Sequence, residues 1–228
     1  MTMLARARWI ALGAALAAAP AMAGPFVVDL DEVRIALDSP AGFADTAFTG
    51  SPRIQELAES LTSASNRVLL FAISDADLRL FMGGDTPEFR RHMLVVTPKV
   101  LERSLVGNRD FSQLVADVLR AAGPAAPDLD LVKYLDQPPH GQPRLLAELR
   151  RTREVVSILQ GLRIPSEKKD ADEKPQYMLF STTLVWLRGK ALILSVHTRL
   201  DNAADMAWIR YTTERWVNDL LRLNNARR

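Results

Sequence analysis

The sequence that decides the fold is YMLFSTTLVWLRGKALILSVHT, residues 177–198. It contains two runs that are rich in β-branched and aromatic residues, Tyr177–Leu187 and Lys190–Thr198, and such runs favour β-strands. Arg188-Gly189 separates them, which fits a hairpin with a two-residue turn. Both faces are apolar, so we predict that the hairpin lies near the middle of a sheet that is covered on both sides.

A two-residue turn also fixes which residues face one another across the hairpin. The predicted pairs are Leu184 with Ile193, Val185 with Leu192, and Trp186 with Ala191. A long helix follows, Ala203–Leu223, with a capping pattern at Asn202 and Asp205. Its apolar stripe consists of Met206, Ile209, Trp216, Leu220 and Leu223. This stripe predicts that the helix packs on the sheet.

Shorter periodic segments complete the fold prediction. Strands are predicted at Val33–Leu37, Arg67–Ile73, Met93–Thr97 and Val155–Leu159. Helices are predicted after Ser51-Pro52, after a cap at Ser74, at Asp110–Ala122 with Asp110 and Gln113 in capping-box spacing, and at Leu129–Leu135. Leu145, Leu146 and Leu149 have helical spacing. We therefore predict one α+β domain over residues 24–228, with a largely antiparallel sheet of about five or six strands and helices packed on it.

Residues 1–23 have the three parts of a secretory signal peptide. Two arginines precede an apolar run from Trp9 to Ala19, and the motif AMA ends at Ala23, which predicts cleavage before Gly24. The apolar run is shorter than a membrane-spanning helix requires. The chain has no cysteine to carry a lipid anchor. The sequence predicts export to the periplasm, with an uncleaved signal tethering the protein to the inner membrane as the alternative.

Removal of residues 1–23 lowers the formal net charge from +2 to zero. Proteins that bind nucleic acid ordinarily have a basic excess, so a nucleic-acid partner is not expected. Without cysteine the chain forms no disulfide, and its stability has to come from buried apolar surface. Its composition, 48% hydrophobic and 25% charged, is that of an ordinary folded protein.

The common catalytic and nucleotide-binding motifs are absent, and three weaker signals remain. Ser166-Glu167-Lys168-Lys169 matches the S-x-x-K pattern of serine enzymes, but its charged surroundings favour an exposed loop. A group of acidic side chains could surround a hard cation, although helix capping by Ser74 and Asp75 explains the pattern better. The acidic residues are Asp75, Asp77, Asp85 and Glu88.

The third signal is the set of histidines, His92, His140 and His197, which are far apart in the sequence and lack ligand spacing. Surface or structural roles are favoured for each of them. Aromatic residues of the last helix could form a binding face, but packing under a neighbouring loop is favoured. They are Trp208, Tyr211 and Trp216.

The strand Val33–Leu37 and the turn that ends at Phe43, with Ser39-Pro40-Ala41-Gly42, resemble the opening of PsbP-like proteins. The closing hairpin Ser181–Thr198, with Gly189 at its turn and a helix after it, is similar to the end of the same fold. The resemblance implies an α/β/α sandwich and a non-catalytic binding or accessory role. It transfers no functional residue to this chain.

The sequence therefore predicts an exported, soluble periplasmic protein that binds a protein or small molecule of the cell envelope. No catalytic, cofactor-binding or metal-binding residue is assigned. The alternative is a periplasmic hydrolase whose site is assembled from dispersed residues, with Ser74, His92 and Asp85 as examples of groups that could converge.

Overall fold

The structure is a computed structural model that describes residues 24–126, 130–165 and 174–225. The strands are β1 (Phe26–Leu30), β2 (Val33–Leu37), β3 (Phe43–Asp45), β4 (Asn66–Ser74), β5 (Arg91–Pro98), β6 (Arg144–Arg151), β7 (Val155–Ile164), β8 (Gln176–Leu187) and β9 (Lys190–Arg199). The helices are α1 (Pro52–Ser60), α2 (Asp75–Met82), α3 (Asn108–Ala122), α4 (Leu131–Leu135) and α5 (Ala203–Asn225). Short 3₁₀ turns cover Ala47–Thr49 and Lys99–Leu101.

Seven of the described strands form one sheet in the order β3-β4-β5-β9-β8-β7-β6, and β1 and β2 form a separate hairpin. All neighbouring strands are antiparallel. The predicted α+β class, with a largely antiparallel sheet and a long last helix, is confirmed. No described helix has the length and apolar character that crossing a membrane requires.

The central hairpin, β8 and β9, has the predicted register. Leu184 faces Ile193, Val185 faces Leu192 and Trp186 faces Ala191. Arg188 and Gly189 have φ angles of 52° and 77°, so both turn residues lie in the left-handed region, as a type I′ hairpin turn requires. The strand β9 is the fourth of seven in the sheet, and this confirms its central position.

Helices cover both faces of this hairpin, because its side chains are apolar on both. On one face Leu192, Leu194 and Val196 pack in the main core with α5. On the other face Leu184 and Ala191 pack with Phe111 and its neighbours on α3. The two-sided cover explains why the sequence of both strands is almost continuously apolar.

The last helix is anchored to the β1–β2 hairpin and the loop after it. Ile209, Trp216 and Leu220 of the predicted stripe are buried. The Trp216 indole Nε1 donates to the Asp38 carbonyl oxygen at 2.8 Å. The Asn224 amide accepts from the Ala36 N–H at 2.9 Å and donates to the Ala36 carbonyl oxygen at 2.8 Å.

The helical prediction for Leu145, Leu146 and Leu149 is wrong, because these residues lie in β6, at the edge of the sheet. The register of β6 on β7 shifts twice, between Leu145 and Ala147 and between Glu148 and Arg150. These irregularities break the period of two that marks a strand, and the leucines therefore acquire helical spacing.

Two helix starts also differ from their predicted positions. The helix α3 begins at Asn108 rather than Asp110, since Asp110 is its third residue and accepts from the Gly107 N–H at 3.3 Å. The described part of α4 begins at Leu131 and is capped by the Asp130 carboxylate. The start predicted at Leu129 lies outside the described residues.

Candidate functional site

A groove of about 670 Å³ lies between α1 and β4 and is called the α1–β4 groove below. Its walls come from the end of β3, the 3₁₀ turn after it, α1, β4 and the start of the second 3₁₀ turn. The lining residues are Asp45, Thr46, Ala47, Gly50, Ser51, Ile54, Gln55, Ala58, Glu59, Thr62, Ser63, Ala64, Asn66, Arg67, Val68, Leu69, Leu70, Phe71 and Lys99. It combines apolar walls with several polar side chains, as ligand-binding clefts commonly do.

One side of this groove is an unpaired part of the sheet edge. The strand β3 is only three residues long and pairs with Ala72–Ser74 of β4. The Thr46 N–H then donates to the Phe71 carbonyl oxygen at 2.8 Å, and the chain turns away into Ala47–Thr49. No described strand pairs with residues 66–70 of β4 on that side.

The other side is α1, which begins at Pro52 after Ser51 as predicted. Ile54 and Ala58 are buried and pack in one cluster with Phe71 and Ile73 of the sheet. Two further residues of α1 that line the groove are polar and exposed, and the Gln55 amide donates to the Glu59 carboxylate at 3.1 Å. The amphipathic pattern of α1 thus fixes the helix on the sheet and leaves a polar rim over the groove.

The two ends of the groove differ in charge. Asp45 lies buried at the end of β3, and burial raises the pKa of its carboxyl, although backbone amides, among them that of Ala47, offset part of the effect. Arg67 and Lys99 lie at the other end, where Arg67 forms an ion pair with Glu102. The Lys99 ammonium donates to the Ala64 carbonyl oxygen at 2.8 Å.

Exposed apolar side chains stand next to the lining residues. Phe48 is 66% exposed in the 3₁₀ turn at the Asp45 end. Leu61, 40% exposed, follows α1, and Val100, 81% exposed, follows Lys99. These side chains add apolar area beside the groove.

The structure brings together two of the three histidines. His92 of β5 and His197 of β9 face each other, and their rings stack with centroids 4.4 Å apart and planes 13° apart. The Phe180 ring stacks on the other side of His197 at 5.6 Å. The sequence spacing gave no sign of this pair, because it depends on the register of β5 on β9. His140 lies apart from it, exposed in the loop before β6.

The surroundings of both stacked histidines disfavour their charged forms. Burial lowers the pKa of His92, while the Phe89 carbonyl, 3.3 Å from Nδ1, and the Asp77 charge act in the opposite direction. Burial lowers the pKa of His197 well below its usual range, and His92 adds to that effect. The His92 Nε2 atom is buried and has no hydrogen-bond partner within residues 24–126, 130–165 and 174–225.

The three residues given as an example of a hydrolase site, Ser74, His92 and Asp85, do not form such a site. The Ser74 hydroxyl donates to the Asp77 carboxylate at 2.8 Å, and no hydroxyl contacts the free His92 Nε2. Asp85 lies in the exposed turn after α2. Ser74, His92 and Asp85 therefore do not form the hydrogen-bonded chain of nucleophile, base and orienting acid that a serine hydrolase requires.

Of the predicted capping by Ser74 and Asp75, the structure shows the Ser74 cap, and Asp75 is the first residue of α2. The Asp77 N–H donates to the Ser74 hydroxyl at 3.0 Å at the start of α2. Glu88 instead faces Arg199 at 3.6 Å. In the described part of the chain no three ligand-type residues gather as a metal site would require. The Ser166–Lys169 motif and the cleavage site after Ala23 lie outside the described residues.

Two of the three aromatic residues of α5 are packed. Trp216 is buried. The Trp208 ring lies against that of Phe43 in a tilted arrangement, with centroids 6.1 Å apart, and the Arg91 guanidinium lies 4.1 Å from the Trp208 ring centre. Tyr211 is 62% exposed, and its hydroxyl accepts from the Arg215 guanidinium at 3.3 Å. These contacts favour packing over a binding face on α5.

The α1–β4 groove itself was not predicted. Only the helix start at Ser51-Pro52 was visible in the sequence, and the groove depends on how soon β3 ends. The chemistry that the groove supports is recognition: it offers apolar surface, hydrogen-bonding groups and a charge difference between its ends.

No protein-family model matches the chain, and a search of curated proteins found no match. Among solved structures, the Saccharomyces cerevisiae Ran-binding protein Mog1p is similar, with a TM-score of 0.41 and 13% identity over 87% of this chain and 93% of that chain. A mutant of protein Mog1 has the same TM-score and identity, with 94% of that chain covered. At this distance the likeness supports no argument about function, and the resemblance to PsbP-like proteins stays a prediction.

Proposed function

We propose that this chain is an exported accessory protein of the cell envelope that binds a partner in the α1–β4 groove. The observation that carries the proposal is the groove itself, which joins apolar walls, polar groups and exposed apolar neighbours in one place. Binding rather than catalysis is favoured because Ser74 and His92, the hydroxyl and the imidazole that the sequence suggested, are not hydrogen-bonded to each other.

Site-specific crosslinking in living cells tests the binding role. Gln55→p-benzoylphenylalanine places a photoreactive group in the groove, and Tyr211→p-benzoylphenylalanine places it on an exposed part of α5. We expect a discrete crosslinked product at residue 55 and none at residue 211. Equal products at both positions, or a product at residue 211 alone, would contradict binding in the groove.

The export part of the proposal rests on the signal features of residues 1–23. Intact mass spectrometry of the protein released from the periplasm of a Gram-negative host tests it. We expect a chain that begins at Gly24. A full-length mass in the membrane fraction would support the tethered form instead, and a full-length mass in the cytoplasm would contradict export.

A further inference from the structure

We infer that the occupant of the α1–β4 groove is an extended peptide segment that adds to β4 as an antiparallel strand. The inference rests on the proposed function and specifies the chemical class of the ligand. The added strand would lie beside residues 66–70 of β4, where β3 has already left the sheet.

The first argument is the hydrogen bonding of the open edge. The strand β3 pairs with β4 through Asp45, and the Thr46 N–H continues that pairing to Phe71. Beyond this point β4 continues for five more residues that pair with none of the described strands on the same side. A peptide backbone supplies donors and acceptors at the spacing of a strand, about 3.4 Å per residue. Sugars and lipids do not repeat both groups at that spacing.

A register irregularity at Leu69 strengthens this argument. The pairing of β4 with β5 shifts between Val68 and Leu70, so Leu69 has no partner residue on β5. Leu69 lines the groove. A bulge changes the direction of the backbone at the bulged residue. The open edge of β4, opposite β5, is the side on which Leu69 can still pair with an added strand.

The charges at the two ends of the groove define the direction of the added strand. Asp45 lies where β3 ends, whereas Arg67 and Lys99 lie at the start of β4. A peptide that continues the direction of β3 has its amino end beside Asp45 and its carboxyl end beside the two basic residues. In this antiparallel direction, a segment with a basic residue first and an acidic residue last pairs opposite charges at both ends, whereas the same segment in the reverse direction pairs like charges.

The exposed apolar neighbours indicate the side chains of the partner. Successive side chains of a strand point to opposite faces, so alternate residues of the peptide face α1 and its apolar surroundings. Phe48 and Val100 stand at opposite ends of that surface. We therefore expect a segment with alternate apolar residues, a basic residue first and an acidic residue last.

Two synthetic peptides test the direction directly, Lys-Val-Thr-Val-Thr-Val-Glu and its reversed sequence Glu-Val-Thr-Val-Thr-Val-Lys, each acetylated and amidated. Valine and threonine favour the extended form. We expect the first peptide to bind the purified protein about tenfold more tightly than the second, as measured by fluorescence anisotropy. Equal affinities, a preference for the reversed peptide, or no binding of either peptide would overturn the inference.

N-methylation of alternate peptide amides then tests backbone pairing. Methyl groups on the amides that face β4 remove donors and block close approach, so we expect a loss of about tenfold or more. Methylation of the other set leaves the pairing intact and is expected to change affinity less than about twofold. Equal effects of the two sets would show that the peptide does not bind as a strand.

Two matched variants of α1 locate the binding. Glu59 lines the groove, while Glu56 is exposed on the same helix and does not line it. We expect Glu59→Trp to block the peptide and Glu56→Trp to leave its affinity unchanged, with circular dichroism confirming that both fold. Amide exchange measured by NMR should slow at residues 66–70 when the peptide binds; slowing only at β6 would contradict the inference.

The outcomes separate this inference from the proposed function. A crosslinked partner at residue 55 together with no peptide binding would leave the groove as a binding site and overturn the strand-addition mode. Sedimentation of the free protein tests whether a second copy of the chain fills the groove instead. A dimer that Glu59→Trp dissociates and Glu56→Trp does not would overturn the peptide as occupant in favour of a second copy.

Discussion

The two edges of the large sheet are protected in opposite ways. At one edge β6 has eight residues, two register irregularities and three arginines, all of which discourage another strand from pairing with it. At the other edge β3 has three residues, and beyond it β4 is left open beneath α1. The first edge is blocked along its length, whereas the second keeps a gap of the size of a short strand.

This difference shows that an open edge need not be a defect. An exposed strand edge promotes aggregation unless charges, bulges or a covering element protect it. The helix α1 protects β4 from broad contacts with other chains and still leaves the groove accessible to a narrow segment. The blocked edge at β6 and the covered edge of β4 should therefore respond differently to substitution.

The largest expected effect follows from weakening the contact between α1 and the sheet. Ile54→Ala removes a buried side chain that holds α1 against Phe71 and Ile73, and we expect a loss of about 2–4 kcal/mol in the free energy of unfolding. Exposure of β4 should also increase self-association. Urea denaturation and light scattering measure the two effects. Leu145→Ala on β6 is the control, since it should lose stability without associating; association of both variants to the same extent would contradict the contrast.

Acid should lower the free energy of unfolding, because His92 and His197 stack across the central strands β5 and β9. Burial lowers the pKa of both groups, so below about pH 6.5 the unfolded chain binds protons that the folded chain does not. Stability is fully present above that pH and falls as the pH decreases towards the folded pKa values.

Denaturation at several pH values checks the slope. His197→Phe keeps a ring beside Phe180 and removes one of the two titrating groups, so its stability should fall less steeply with acid. The exposed His140 provides the control variant His140→Gln, which should keep the slope of the parent protein. A parent protein whose stability does not change through this range would contradict the prediction.

A smaller effect is expected from removing charge at the blocked edge. Glu148 and Arg151 form an exposed ion pair on β6, with Arg151 Nε donating to Glu148 at 2.8 Å. Glu148→Val with Arg151→Val should hardly change the free energy of unfolding, because such pairs contribute little, but should increase self-association. Sedimentation velocity measures the self-association. The matched control is Asp117→Val with Arg120→Val, which removes an exposed ion pair from α3 and not from the sheet edge.

The smallest effect on stability is expected at Asp45. Burial disfavours its charged form, so Asp45→Asn should leave the melting temperature unchanged or slightly higher at neutral pH. The same variant should abolish the preference between the forward and reversed peptides. The exposed Asp29 supplies the control Asp29→Asn, which should retain that preference. A marked fall in melting temperature for Asp45→Asn would show that the carboxylate stabilises the fold.

The central hairpin was predictable because its signals are local: two apolar runs, a turn sequence and a fixed side-chain period. The fold class followed from it and from α5. The edges were not predictable in the same way. The three residues of β3 are too few to show a period, and the irregular register of β6 disguised a strand as a helix.

The candidate site depended on long-range pairing, which no local pattern contains. His92 and His197 meet because β5 pairs with β9. The groove exists because β3 stops after Asp45 while β4 extends back to Asn66. Sequence analysis singled out the two histidines and the helix start at Ser51-Pro52, but not the contacts that build the histidine pair and the groove.

The amide of Asn224 binds both backbone groups of Ala36, and the Trp216 indole binds Asp38. A ribosome makes the chain from its amino end, so β1 and β2 leave the ribosome long before the helix that fastens them. The first hairpin lacks these stabilising contacts until the last turns of α5 have been synthesised. The fold can therefore close only after α5 has emerged, and not when the first strands do.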